Sequence, residues 1–320
     1  MIQMKGLLGM KDFIIRNLSK EQINFLRCIY GKYRDIYRKH SNPEKVLKKM
    51  FKTNIGYELD LNNPKTFNEK LQWLKLYNHN DVYTTMVDKY AVKEYVADKI
   101  GKKYIIPTLG VWNHFDEIDF NKLPKRFVLK CTHDCGSVIL VKDKYFLDKA
   151  ATKNKLESAL RHNYYYSCYE WPYKNVPPKI IAETFMIDVN NTKTLDDDLT
   201  DYKFMCFHGE VKCIFTCTQR RSVDGLHVTF FDRDWNQLPF ERHYPAAELG
   251  TIPKPKNLEL MKALAERLSE HIPFVRVDFY EINGMVYFGE LTFFPGAGFE
   301  EFSPVKYDYL LGSWIKLPDK

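Results

Sequence analysis

No Gly-x-Gly-x-x-Gly and no Walker sequence occurs in the 320 residues, which removes hydride transfer and P-loop phosphoryl chemistry. No Ser-His-Asp or Cys-His set can be assembled from the spacing, so a nucleophilic hydrolase is not indicated. There is no low-complexity tract, which excludes a disordered or fibrous chain. In the opening stretch MIQMKGLLGMKDFIIRNLSKEQ charges interrupt every apolar run, so neither a signal-peptide core nor a spanning helix of about 20 residues can be drawn. The expected location is the cytoplasm, with attachment to the inner face of the membrane as the variant. A disulfide framework is missing too. The seven cysteines are odd in number, and Cys131, Cys135, Cys206, Cys213 and Cys217 lie in apolar strand-like stretches, which suits free thiols in a reducing compartment.

What is present is a core and a positive charge. Hydrophobic residues make up 45% and aromatics 15%, enough for one elaborate domain or two to three packed lobes. The net charge of +7 favours anionic ligands such as nucleotides, sugar nucleotides and uronic acids. The Lys and Arg are spread along the chain, so a solvated basic surface accounts for the same excess and no nucleic-acid partner is expected.

Three regions emerge. Residues 1–80 are helical: between 12 and 55 apolar positions such as Phe13, Leu18, Leu26 and Tyr33 recur at helical spacing among basic residues, and Thr66 with Glu69 makes a capping box. Packing is the ordinary use of such helices; resting on an anionic membrane surface is the alternative. Residues 81–180 contain a helix ending near Gly101 and two strands around the Thr132–Ser137 loop, a nucleotide-covering hairpin. Residues 181–320 contain a hairpin turned at His208 and Gly209 and a last one through RVDFYEINGMVYFGELT. The fold class is α+β.

The last hairpin carries the strongest constellation. A two-residue turn at Asn283 and Gly284 would set Asp278 across from Gly289; a three-residue loop with a glycine bulge would set it across from Glu290, and the second register is preferred. Arg276, Asp278, Glu290 and Thr292 then share one face, with Val275, Val277, Phe279, Tyr287 and Leu291 on the other. Opposed carboxylates repel unless a cation such as Mg²⁺ sits between them. Lys130 precedes a loop whose backbone N–H groups, from Thr132 through Gly136 and Ser137, could cradle phosphates. Glu183 ends an apolar strand, and Phe185 with Thr184 and Met186 could line an adenine slot. Lys203 beside Asp201 reads as an ion pair or a phosphate ligand, and Arg220 and Arg221 as anion clamps. His133 with Cys131 and Cys135 matches no zinc spacing. Asp196, Asp197 and Asp198 are either solvated loop acids or the metal-holding D-x-D of a glycosyltransferase. A basic membrane-surface or nucleic-acid module built on residues 12–55 is the non-enzymatic alternative.

The order of these pieces, Asp88-Lys89, FVLK with its loop, IAE, DYKF, then RVDF through GELTFFPG, resembles the ATP-grasp superfamily. More narrowly, NPKTFNEKLQWLKLY, VDKYAVKEYV, FVLKCTHDCGSV, EWPYKNV and DYKFMCF resemble the TupA-like ATP-grasp family, associated with teichuronopeptide and surface-polysaccharide synthesis. The resemblance implies two antiparallel lobes clasping ATP, with Lys89 and Lys130 on the phosphates, Glu183 at the adenine edge and Lys203 near the triphosphate. It implies Mg²⁺ on Asp278 and Glu290 and phosphoryl stabilisation by Arg276. Thr292 stands where the superfamily usually shows asparagine. The implied reaction joins a carboxylate to an amine through an acyl phosphate, here a uronic acid of a glycan precursor and an amino acid or other amine.

Overall fold

The computed structural model describes residues 31, 33–189, 199–218 and 225–319. The Asp196–Asp198 run, Arg220, Arg221 and the helices expected before residue 31 lie outside them. Helices α1 (Pro43–Ile55), α2 (Phe67–Tyr77), α3 (Val82–Val87) and α4 (Ala91–Ile100) come first. Strands β1 (Thr108–Trp112), β2 (Phe127–Cys131) and β3 (Ile139–Val141) follow, then α5 (Lys149–Leu160), α6 (Tyr165–Cys168) and β4 (Ile180–Thr184). The rest is β5 (Asp201–Phe207), β6 (Glu210–Thr218), β7 (His227–Phe231), β8 (Glu241–Arg242), α7 (Leu258–Leu268), β9 (Val275–Ile282), β10 (Met285–Thr292), β11 (Phe302–Ser303) and α8 (Lys306–Trp314). No helix among the described residues is long and apolar enough to cross a membrane.

The strands form two main antiparallel sheets, ordered β1-β4-β2-β3 and β10-β9-β5-β6-β7. Strand β4 lies inside the first sheet, between β1 and β2. Under the first sheet Phe127, Leu129, Ile180 and Ala182 pack with Phe115 and Leu156, because alternate positions of β2 and β4 point at α5. The second sheet is covered by α7, whose Met261, Ala265 and Leu268 are buried at helical spacing.

The helical N-terminal region joins this second core. Thr66 accepts from the Glu69 amide while the Glu69 carboxylate accepts from the Thr66 amide, a reciprocal cap that stabilises by about 1 kcal/mol. It starts α2 so that Phe67 meets Phe207, Phe274 and Phe302 edge-on or tilted. Burying such a ring contributes about 2–3 kcal/mol, and Phe67→Ala would leave a cavity costing about 3–5 kcal/mol. Helix α8 approaches so closely that a Cβ on Gly312 would lie 2.2 Å from the Lys65 carbonyl oxygen. These contacts hold α2 against the exit of β10, where the site begins.

Candidate active site

The β9–β10 hairpin turns at Asn283 and Gly284, both with positive φ (52° and 79°), and Ile282 pairs directly with Met285. This is the tight two-residue turn, not the three-residue loop preferred from sequence. The extra residue is in the strand: a bulge at Gly289 lets Phe288 pair with Phe279 and Glu290 with Asp278. The carboxylate register is the one expected, reached by another route. The bulge also breaks the alternation, so Tyr287 pairs with Tyr280 and shares the Asp278 side, while Phe288 takes the buried place beside Phe279 that had been assigned to Tyr287. Glycine fits at the bulge because a Cβ there would come within 3.1 Å of the Asp278 carbonyl oxygen.

Pairing carries this row across the sheet: Glu290 beside Asp278, Asp278 beside Lys203, Lys203 beside Phe215. The Lys203 amine reaches Asp278 at 2.5 Å and Asp201 at 2.6 Å. The Arg276 Nε donates to Asp278 Oδ1 at 2.7 Å, and its Nη2 donates to Asp278 Oδ2 at 2.6 Å and to Glu290 Oε1 at 2.7 Å. The two carboxylates therefore meet through one guanidinium. Asp278 is buried, whereas the Glu290 side chain is 46% exposed. Burial works against the Glu290 charge, but Arg276 and then Lys203, Lys89 and Lys130 outweigh it and hold the carboxyl at about 2. Lys203 goes the other way: burial alone would lower it, and Asp278 leads the groups that raise it. The Thr292 hydroxyl lies 3.3 Å from Glu290 Oε1.

Opposite stands the first sheet. A cavity of about 510 Å³ lies between the two, walled by Lys89, Lys93, Lys130, Glu183 and Phe185 on one side and by Tyr280, Gly289 and Glu290 on the other. Glu183 is flanked on neighbouring strands by Val128 and Thr108, which brings its carboxylate to Lys130 at 2.6 Å and to Lys93 at 2.6 Å. Burial raises its pKa, yet Lys130 and Lys93 prevail and keep it below the usual range. Lys93 was not singled out from sequence. Its signal was there: it falls four residues after Lys89, and α4 puts it on the cavity wall that Lys89, just before the helix, also lines. The Lys89 amine donates to the Asp134 carbonyl oxygen, tying it to the covering loop.

Ser137 ties that loop down. Ser137 is buried, and its hydroxyl accepts from the Cys131 amide at 2.7 Å while donating to Asp134 Oδ1 at 2.6 Å. It closes the loop on itself and does not line the cavity. Gly136 takes φ +117°, a left-handed turn residue, and is not on the cavity wall either.

Among the described residues no group of three or more His, Cys, Asp or Glu side chains is placed to hold a metal ion. The Asp278–Glu290 pair nevertheless fits Mg²⁺, which takes one or two carboxylates and completes its shell with phosphate and water oxygens. Of the two, Glu290 is the more exposed and lines the cavity.

The profile of the TupA-like ATPgrasp family matches residues 69–316. The architecture is accordingly the ATP-grasp fold, α+β with two antiparallel sheets about a cleft. The chain belongs to the TupA-like ATP-grasp family. Among solved structures it is similar to D-alanine–D-alanine ligase from Bacillus anthracis complexed with ATP, at 15% identity and TM-score 0.36, covering 65% of this chain and 55% of that one. The enzyme of the same name from Helicobacter pylori gives 14% and 0.38 over 78% and 69% of the two chains. The ATP-grasp ligase PsnB with minimal precursor, Mg and ADP gives 10% and 0.39 over 78% and 66%. The chain thus spans little more than half of the first of these. No curated protein matches it.

Proposed function

We propose that the chain is an ATP- and Mg²⁺-dependent carboxylate–amine ligase that forms ADP and an amide, with a uronic acid of a surface-glycan precursor as the carboxylate and an amino acid or other amine as the acceptor. The observation that carries the reading is the polarity of the cavity. One wall offers three lysines against one carboxylate; the other presents Glu290, and behind it on the same sheet Asp278 and Asp201 share Arg276 and Lys203. A triphosphate satisfies the first wall and a magnesium ion the second.

Lys130 and Lys89 would hold phosphate oxygens, with Glu183 and Lys93 fixing the Lys130 amine in place. Phe185 and Met186 line the cavity beyond Glu183 and suit an adenine ring. Asp278 and Glu290 would hold Mg²⁺, which would supply positive charge to offset that of the phosphates. Arg276, released from Glu290, keeps its hold on Asp278 and presents its remaining N–H groups to the γ-phosphoryl as it passes to the substrate carboxylate. Lys203, locked between Asp201 and Asp278, orients Asp278 and adds positive charge beside the same oxygens. The uronate assignment is supported by the family's association with surface polysaccharides and by the basic cavity.

Incubating the chain with ATP, Mg²⁺, a panel of uronates and a panel of amines tests the reading. The expected products are ADP and a conjugate lighter by one water, detected by mass spectrometry. ATP turnover to AMP, or glycan transfer without ADP, would overturn it.

A further inference from the structure

The row of paired residues that runs from Glu290 through Asp278 and Lys203 to Phe215 continues to Phe230 on β7, and over its far end lies a second buried arginine. Arg242, on β8, is 6% exposed, and its guanidinium carbon sits 4.7 Å from the centre of the Phe215 ring and 5.5 Å from that of Phe230. The guanidinium carbon of Arg276 lies 5.7 Å from the same Phe215 centre. One ring on the site face of the second sheet therefore carries both guanidiniums.

Both arginines have donors left over. Arg276 uses Nε and Nη2 on Asp278 and Glu290, which leaves Nη1. Arg242 uses none. Glu300 Oε2 is 2.9 Å from its Nε, yet the N–H is not directed at that oxygen, and Nε, Nη1 and Glu300 Oε2 are all enclosed without a hydrogen bond among the described residues. Nη2 alone of its three nitrogens keeps open surface. A guanidinium this buried is costly with its N–H groups idle, the more so beside another positive charge: burial lowers its pKa, Glu300 offsets part of that, and Arg276 adds to it. Glu300 is an incomplete partner, its side chain 23% exposed and folded over Gly296, where a Cβ would collide with it. What anchors the residue is its carbonyl oxygen, which accepts from Asn68 Nδ2 on α2 at 2.9 Å. Building on the ligase reading, we propose that Arg242, together with Arg276, binds the carboxylate of the uronate that is to be activated, and that Glu300 holds this place until the uronate displaces it.

Held there, the carboxylate lies beside the guanidinium assigned to the γ-phosphoryl. One carboxylate oxygen forms the bond to the γ-phosphorus, the bond from that phosphorus to the bridging oxygen breaks, and its electron pair leaves on ADP. No proton moves in this step. Arg242 keeps its N–H on the other carboxylate oxygen, which becomes the carbonyl oxygen of the acyl phosphate. When the amine adds to that carbonyl carbon, the negative charge that builds on the oxygen meets the same donor.

The test follows melting temperatures of the full chain and of its Arg242→Gln and Glu300→Gln variants, each with Mg²⁺ and β,γ-imido-ATP, as glucuronate, galacturonate, UDP-glucuronate or neutral glucuronamide is added. The nucleotide should stabilise all three proteins alike, which also shows that the variants are folded; no stabilisation of the wild type removes the ligase reading and this assignment with it. At least one uronate, and not glucuronamide, should then stabilise the wild type. Arg242→Gln should need about tenfold or more of that uronate for the same shift, and Glu300→Gln less of it than the wild type. In turnover with ATP the same order should appear in KM for the uronate, with KM for ATP held within about twofold. Where Arg242→Gln does not fold, Glu300→Gln decides alone: tighter uronate binding supports the assignment, and unchanged or weaker binding overturns it. An ion pair that served stability only would lower the melting temperature of both variants and leave their uronate response equal to that of the wild type. That result, a glucuronamide response equal to that of glucuronate, or no uronate response in the wild type would overturn the assignment, while the nucleotide response would leave ATP binding intact.

Discussion

The two sides of the cleft are both built from basic side chains and carboxylates, but in opposite proportion. On the first sheet Glu183 is outnumbered, and its role is to hold Lys93 and Lys130 at 2.6 Å from itself and so at fixed places. On the second sheet Arg276 and Lys203 are outnumbered, and they hold three acids together in the absence of anything else. The difference teaches that an ion pair in this cleft is a placement device with a net sign. The positive wall is ready for an anion, and the negative wall for a cation, before either arrives.

The sharpest way to break the negative wall is Asp278→Asn. It keeps the shape but removes the charge shared by Lys203 and Arg276, so ADP formation should fall by about 10²–10³-fold. The melting temperature should fall as well, because both cations lose a buried partner. Normal turnover in this variant would refute the second wall's role. On the positive wall, Lys130→Met should weaken ATP binding by roughly tenfold to a hundredfold, the worth of one charge-assisted hydrogen bond, measured by calorimetry. Lys93→Met should do less to ATP and act by loosening Glu183.

A pH titration probes the negative wall without substrate. Glu290 has a folded pKa of about 2 against an ordinary 4.5. The depressed value means its stabilising contribution is present above about 4.5 and drains away as pH falls toward about 2. Thermal melts over that window should show a shallower decline for Glu290→Gln than for the wild type. The smallest effect is expected at Thr292: with its hydroxyl 3.3 Å from Glu290, Thr292→Val should change kcat by no more than about threefold to tenfold.

How much of this was written legibly in the chain depends on range. The capping box at Thr66, the turns at His208-Gly209 and Asn283-Gly284, and the pairing of Asp278 with Glu290 rest on neighbours in sequence or within one hairpin, and local rules reach them. The bulge was misplaced because Gly284 and Gly289 are both plausible hosts for the extra residue, and only the packing of Phe288 against Phe279 chooses between them. The place of β4 between β1 and β2 is a long-range choice with no local trace. That Cys131 and Asp134 use the Ser137 hydroxyl is likewise a contact the sequence does not display. Lys93 was passed over since its partner, Glu183, is ninety residues away.

The central claim is that the two walls bind one ligand pair together, and titration calorimetry of ATP into the full chain, with and without Mg²⁺, addresses it most directly. The account predicts that Mg²⁺ tightens ATP binding in the wild type and that Asp278→Asn abolishes this dependence while leaving metal-free ATP binding on the lysine wall. Equal Mg²⁺ dependence in the two proteins would contradict it.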